Sequence, residues 1–121
     1  TLSYYGAEKV VDHYNVMGPV KAALEASVRY LAHEHGGKAI RVNAISAGAV
    51  ATRAASGIEH FDELLNETIR KAPLRRTVDS SEVGRTALML ASDYTSAISG
   101  EVLHVDAGFH IEGMVVHRSL T

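Results

Sequence analysis

The sequence predicts an α/β protein in which short buried strands are separated by longer helices. Two runs carry the strand signal: residues 39–45, which are bounded by glycines, and residues 101–106 near the carboxyl end. Between and before them, apolar residues recur at helical spacing. Residues 39–45 are continuous enough for a strand buried on both faces. Such strands, alternating with helices, indicate a parallel sheet with helices on both faces.

The chain opens on what looks like the end of a strand, Leu2-Ser3-Tyr4, followed by a loop or short turn over residues 6–13. In open α/β sheets, ligands bind beyond the carboxyl ends of the strands. Tyr4 is therefore placed to face a substrate. The alternative is a tyrosine that covers an apolar edge of the sheet.

A long Ala-rich helix comes next, with Asn15 as its expected N-cap and Gly36-Gly37 as its end. Pro19 near its start should forfeit one hydrogen bond without breaking the helix. One part of its apolar surface should cover the sheet, and the remainder suggests contact with a partner subunit. The apolar positions are Val16, Val20, Ala23, Leu24, Ser27, Val28 and Leu31.

Tyr14 and Lys21 stand seven residues apart at the beginning of that stretch. If both are helical, about 3.6 residues per turn brings them to nearly the same face, about two turns apart. A cation close to a phenol favours its charged form and makes it a better hydrogen-bond donor to a substrate oxygen. The pair is a catalytic candidate, although the same spacing arises by chance in many helices.

Two more helices are predicted between the strand runs. The first has an apolar face and is interrupted by Pro73; after the end of a strand, its leading loop is a plausible lid over a pocket. The second starts at Asp79 and Glu82, whose spacing is that of a capping box, and runs to about Ser92. The first face comprises Ala54, Ile58, Phe61, Leu64, Leu65, Thr68, Ile69 and Ala72, and the second Val83, Ala87, Leu88, Leu90 and Ala91.

Length, charge and cysteine content argue against several classes of partner and chemistry. The 121 residues are within the size of one domain, the formal net charge is −2, and the basic residues are scattered. We therefore expect no nucleic-acid partner and no membrane partner. The sequence has no cysteine, which excludes disulfides and thiolate chemistry and makes the cytoplasm the expected compartment.

The seven histidines show no metal-ligand spacing. His33 and His35 would point roughly 200° apart on a helix, and the other five are scattered. We predict no metal site from this pattern. The sequence also lacks a nucleophile elbow, so acyl hydrolysis is not indicated.

Five blocks of the sequence carry a resemblance to a known family. They are Leu2-Ser3-Tyr4-Tyr5-Gly6-Ala7-Glu8, Tyr14-Asn15-Val16-Met17-Gly18, Arg41-Val42-Asn43-Ala44-Ile45-Ser46-Ala47-Gly48, Ala54-Ala55-Ser56-Gly57-Ile58 and residues 99–108. Together they resemble the second half of the short-chain dehydrogenases/reductases, and most closely the bacterial enoyl-acyl-carrier-protein reductases that use a nicotinamide cofactor. Most short-chain reductases place their tyrosine four residues before the lysine, and the enoyl reductases place it seven before. Tyr5 and Lys9 have the four-residue spacing, but the Ala-Ala-Leu-Glu expected after the lysine follows Lys21.

This resemblance implies a doubly wound, Rossmann-type parallel sheet with helices on both faces, of which residues 1–121 form the C-terminal half. A dinucleotide-binding half needs a glycine-rich turn such as G-x-G-x-x-G, and the sequence contains none. We expect that half to lie upstream in the same fold. The resemblance also implies a homotetramer.

The implied reaction is the reduction of the trans-2 double bond of an enoyl thioester carried by acyl carrier protein, in fatty acid synthesis. NAD is the implied cofactor, with NADH favoured over NADPH. The implied catalytic residues are Tyr14, Lys21 and Tyr4; the cofactor-binding residues are Lys21, Ala47, Gly48, Val50 and Thr52; and the substrate-binding residues are Tyr4, Met17, Ala54, Ile58 and Phe61.

Small residues at Ser46-Ala47-Gly48 would let the main chain approach a flat ring closely, although an ordinary glycine-containing turn explains them as well. Two other functions stay open. A short-chain reductase acting on a ketone or alcohol would have tyrosine at position 17 and serine near position 4, where this chain has Met17 and Tyr4. A non-catalytic scaffold that keeps the fold is the third.

Overall fold

A computed structural model describes residues 1–53 and 55–116. Their strands form one parallel sheet in the order β1-β2-β3, so the predicted parallel α/β architecture is confirmed. Short 3-10 turns connect several of the elements. The strands are β1 (Leu2–Tyr4), β2 (Ala44–Ala47) and β3 (Val102–Val105), and the α-helices are α1 (Met17–His35), α2 (Phe61–Lys71) and α3 (Ser80–Ala91).

The register of the sheet divides its side chains between two faces. Ser3 pairs with Ser46, which pairs with His104, so these three share one face. Helix α1 covers that face, and the buried carboxylate of Glu25 accepts a hydrogen bond from the Ser3 hydroxyl. On the other face Tyr4 pairs with Ala47, and α3 packs against β2 and β3. The sheet thus carries helices on both faces.

The start of α1 differs from the prediction. Its N-cap is Val16, and the predicted cap Asn15 lies in the left-handed region with φ 54°. Asparagine tolerates that conformation better than most residues, so it serves the turn that leads into the helix. Pro19 costs no intrahelical hydrogen bond, because it lies in the first turn, and the first bond of the helix runs from the Val20 N–H to the Val16 carbonyl at 3.1 Å. Gly36 ends the helix as predicted.

Strand β2 begins later than predicted. Residues 39–43 precede it, with Ala39 in a left-handed conformation at φ 58°, and the strand includes Ser46 and Ala47, which were expected to follow it. The reason is tertiary, since the bounds of β2 match those of β3, its hydrogen-bonded neighbour. Burial on both faces is confirmed for residues 44–46.

Helices α2 and α3 follow the predicted order. The Asp79 N–H donates to Glu82 Oε2 at 2.8 Å, which is one half of the predicted capping box, and α3 ends at Ala91. On α2 the predicted positions from Phe61 to Ile69 are half-buried or buried, and Glu67 is half-buried as well. The predicted core face of α3 was wrong at Ala87, Leu88 and Ala91, which are exposed, Leu88 to 72%, because α3 packs only a narrow side against β2 and β3.

The Arg41 guanidinium joins the approach to β2 to the end of α3. It donates to the main-chain carbonyls of Leu90 at 2.7 Å, Ile98 at 3.1 Å and Ser92 at 3.3 Å. Carbonyls at a helix end lack intrahelical partners, so a cation there stabilises the terminus. Among the described residues, no helix combines the length and apolar character that crossing a membrane requires.

Candidate active site

An open, mainly apolar cleft of about 1240 Å³ lies beside the carboxyl ends of β1 and β2. It brings together every described residue that the sequence predicted for the site. Ala54, the remaining predicted residue, lies outside the described part of the chain. The predicted residues that line the cleft are Tyr4, Tyr14, Met17, Lys21, Ala47, Gly48, Val50, Thr52, Ile58 and Phe61.

Two tyrosine rings meet at one side of this cleft. The Tyr4 and Tyr14 rings pack edge to face with centroids 5.0 Å apart, and Tyr14 is only 8% exposed. Burial raises the pKa of Tyr14, and burial together with the charge of Tyr14 raises the pKa of Tyr4. Both phenols are therefore neutral near pH 7 and can donate hydrogen bonds.

Tyr14 does not lie on α1, which corrects the same-face argument drawn from its spacing to Lys21. It occupies a turn three residues before the helix, and its carbonyl accepts from the Met17 N–H at 3.1 Å. The expectation that a nearby cation favours the charged phenol was also wrong in direction. The pKa of Tyr14 is raised because desolvation by burial dominates.

Gly6 makes room for the Tyr14 ring. A Cβ on Gly6 would lie 2.4 Å from Tyr14 Cδ2, a separation that side chains cannot tolerate. Gly18 is tight for a related reason, since its Cβ would meet the Gly6 carbonyl oxygen at 3.0 Å. Gly6, in the 3-10 turn Tyr5–Ala7, thus leaves the space that the Tyr14 ring occupies.

Lys21 approaches the cleft from the first turns of α1. Its Nζ donates to the Leu2 carbonyl of β1 at 3.0 Å, which anchors the ammonium beside the strand that ends at Tyr4. An ammonium has three donors, so two remain for other acceptors. Lys9 is exposed and Tyr5 packs edge-on against Phe109 with centroids 5.3 Å apart, so the pair with the four-residue spacing does not line this cleft.

The segment after β2, residues 48–52, contributes to the lining of the cleft. Gly48 comes close to another chain segment, since its Cβ would lie 3.0 Å from Asp106 Cα, and its N–H donates to the Val105 carbonyl at 2.8 Å. The close approach seen here is therefore to backbone at the end of β3. The hydroxyl of Thr52 accepts from the Ala55 N–H at 3.1 Å and shapes the turn that follows.

Two features next to the site were not predicted from the sequence. The Ser3–Glu25 hydrogen bond joins a strand residue to a buried helix residue, and no spacing rule connects them. Asp106 is buried and its carboxylate accepts from the N–H groups of Gly108 at 3.0 Å and His110 at 3.0 Å. An aspartate at the end of a strand, with a glycine two positions later, is the pattern that could have indicated this second turn.

A family model described as enoyl-(acyl carrier protein) reductase matches residues 1–110. The chain belongs to this family. The resemblance read from the sequence blocks is thereby confirmed, and the match includes the described members of the proposed site.

Individual enoyl reductases agree with the family match. The enoyl-[acyl-carrier-protein] reductase [NADH] 1 of Rhizobium meliloti is 61% identical over 114 residues, which cover 94% of this chain and 42% of the relative. A Bacillus cereus reductase solved with NADP+ and indole naphthyridinone matches with TM-score 0.91 and 54% identity, covering 94% of this chain and 44% of that one. An Aquifex aeolicus enoyl-[acyl-carrier-protein] reductase (NADH) gives TM-score 0.91 and 54% identity, covering 95% and 44%. The chain thus spans less than half the length of these relatives.

Proposed function

We propose that this chain is the C-terminal, catalytic and substrate-binding half of an enoyl-acyl-carrier-protein reductase of fatty acid synthesis. The observation that carries the proposal is the convergence of Tyr4, Tyr14 and Lys21 on one apolar cleft at the carboxyl end of a parallel sheet. In such sheets this edge is where ligands bind. Residues 1–121 are proposed as one half of a single Rossmann-type domain, with the glycine-rich half upstream.

The reduction places negative charge on the thioester oxygen of a trans-2-enoyl substrate while hydride adds to its β-carbon. Tyr14 is the proposed donor to that oxygen, because its neutral hydroxyl keeps its proton available. Tyr4 packs against Tyr14 and shapes the adjoining wall. A fixed donor in a desolvated site stabilises developing charge better than water does.

The chain's residues fit a nicotinamide cofactor. The two donors of Lys21 not directed at Leu2 are suited to ribose hydroxyls. Ala47 and Gly48 present little side-chain bulk to the cleft, which Val50 also lines. Thr52 is proposed to lie near the pyrophosphate. A bound dihydronicotinamide would supply the hydride, and NADH is the proposed form because several relatives are named for it.

The acyl chain is proposed to lie against the apolar side chains of Met17, Ile58 and Phe61, which line the cleft, and against Ala54 by resemblance alone. The substrate is proposed to arrive on acyl carrier protein, in the cytoplasm.

A homotetramer is proposed because large apolar side chains of α1 and of its N-cap Val16 are uncovered, among them Val20, Tyr30 and Leu31.

Tyr14→Phe in the full-length protein tests this function. Oxidation of NADH by a crotonyl thioester should fall on the order of a hundredfold or more, while NADH affinity stays the same, because only the donor to the oxyanion is lost. Tyr94→Phe is the matched control, since Tyr94 is 97% exposed and outside the cleft. Unchanged turnover in Tyr14→Phe would remove the proposed role.

The same assay separates the alternatives. A ketone in place of the enoyl thioester should give little turnover, and turnover on ketones alone would favour a short-chain ketone reductase. Failure of the intact protein to oxidise NADH with either substrate would favour a non-catalytic scaffold.

A further inference from the structure

Three side chains from two separate loops converge at the rim of the cleft. His13 precedes Tyr14, while Glu59 and His60 lie between Ile58 and the start of α2. One atom of each side chain that could bind a metal ion, an imidazole nitrogen or a carboxylate oxygen, lies within 4.8 Å of those of the other two. No metal-ligand spacing is visible in the sequence here, because His13 is far from Glu59 and His60 along the chain.

The distances already approach those around a small metal ion. His13 Nδ1 lies 3.7 Å from Glu59 Oε2, and His60 Nε2 lies 3.3 Å from Glu59 Oε1. A tetrahedral zinc with bonds of about 2.0–2.1 Å holds its ligands roughly 3.3 Å apart. All three side chains are exposed, so small rotations would close the remaining gap.

A second carboxylate orients one of the imidazoles. His60 Nδ1 lies 2.9 Å from Glu63 Oε1, which leaves Nε2 as the nitrogen directed at Glu59. This carboxylate–histidine arrangement fixes the tautomer and ring orientation of zinc-binding histidines. The His13 and His60 rings also stack, with centroids 4.5 Å apart and planes inclined by 30°.

The backbone at both histidines lies in the left-handed region, with φ 65° at His13 and φ 59° at His60. Histidine is among the non-glycine residues enriched in that region. The two turns direct their imidazoles at the carboxylate of Glu59.

We propose that His13, Glu59 and His60 bind a zinc-class divalent ion, with water at the fourth position and Glu63 supporting His60. Imidazole and carboxylate donors suit zinc and its neighbours better than magnesium or calcium, which prefer oxygen donors alone. The ion joins the turn that carries Tyr14 to the loop that leads into α2. This inference rests on the described fold and does not require the reductase function.

Titration of the metal-free full-length protein with zinc chloride in a calorimeter tests the site. We expect one zinc per chain at this site, with binding there lost in His13→Asn and in His60→Asn; asparagine is chosen because it tolerates left-handed backbone. Glu63→Gln should weaken binding by about 10- to 100-fold, as loss of a supporting carboxylate does. The matched control removes His33 and His35 from α1 together and should retain the site.

Trypsin cleavage gives an independent readout. Arg53 is exposed in the loop that the ion would tie down, so zinc should slow cleavage after Arg53 relative to cleavage after the exposed Arg75. The proposal is overturned if zinc does not bind, if His13→Asn and His60→Asn bind zinc as the parent does, or if binding is lost in the His33 and His35 variant. It is also overturned if zinc leaves cleavage at Arg53 unchanged.

Discussion

The two walls of the cleft are built differently. The wall that carries Tyr4, Tyr14 and Lys21 is held by contacts between distant parts of the chain, such as Lys21 to Leu2 and Ser3 to Glu25. Residues 51–53 and 55–58, which we call the lid segment, make local hydrogen bonds. Ser56 N–H donates to the Thr52 carbonyl at 3.0 Å, and Ile58 N–H donates to the Ala55 carbonyl at 2.9 Å.

This difference assigns separate tasks to the walls. Groups that stabilise charge must be held in one geometry, and contacts between a strand, a helix and a buried ring achieve that. A segment closed by local hydrogen bonds can open without disturbing the sheet, as elements that admit a substrate must. Variants of the first wall should therefore change chemistry or stability, and variants of the lid segment should change substrate binding.

The largest effect is expected from Gly6→Ala. The added methyl would meet the Tyr14 ring, so the ring must move, and displacing a catalytic group by about 1 Å can lower turnover on the order of a hundredfold. Turnover of the full-length protein with NADH and a crotonyl thioester measures it. Gly36→Ala is the control, because its Cβ would meet no atom within 4 Å. Equal turnover in both variants would show that the Tyr14 position is not critical.

Lys21→Met should act on cofactor binding. It keeps the length of the side chain but removes the charge, and hydrogen bonds from a charged donor contribute about 1.5–3 kcal/mol. We therefore expect NADH affinity to fall by about 10- to 100-fold, measured by fluorescence titration. The control is Lys9→Met, which removes an exposed charge outside the cleft. Normal NADH affinity in Lys21→Met would contradict the ribose role.

Arg41→Met and Ser56→Ala compare the two kinds of contact directly. Arg41 joins the segment before β2 to the end of α3, so its loss should lower the free energy of unfolding by about 2 kcal/mol. The Ser56 hydroxyl donates only to the nearby Arg53 carbonyl, and its removal should change stability by less than about 0.5 kcal/mol. Thermal unfolding measures both changes. Equal shifts in the free energy of unfolding would contradict the expected difference between long-range and local contacts.

The sequence could predict what local signals determine. Asp79 and Glu82 placed the start of α3, and the glycine after His35 placed the end of α1. It could not place the start of β2, because pairing with neighbouring strands decides where that strand begins. Nor could it place the start of α1, where Asn15 takes a left-handed conformation instead of capping the helix.

The candidate site shows the same limit. Resemblance named Tyr14 and Lys21, but the helical-face argument misplaced Tyr14, whose position depends on Gly6 and on the Tyr4 ring. The raised pKa of Tyr14 follows from burial, which no residue spacing reveals. Contacts between distant loops, such as that of His13 with Glu59, become visible only in the folded chain.

The smallest effect is expected from Ile58→Ala in the lid segment. Ile58 lines the cleft, and losing part of its apolar contact with an acyl chain should cost about 1 kcal/mol, or roughly a fivefold rise in KM. The kcat should stay unchanged, because Ile58 adds uniform binding and no donor to the reacting oxygen. Leu74→Ala is the control, since Leu74 is 62% exposed outside the cleft. A fall in kcat with constant KM would show that Ile58 acts on the chemical step, and it would contradict the separate tasks proposed for the two walls.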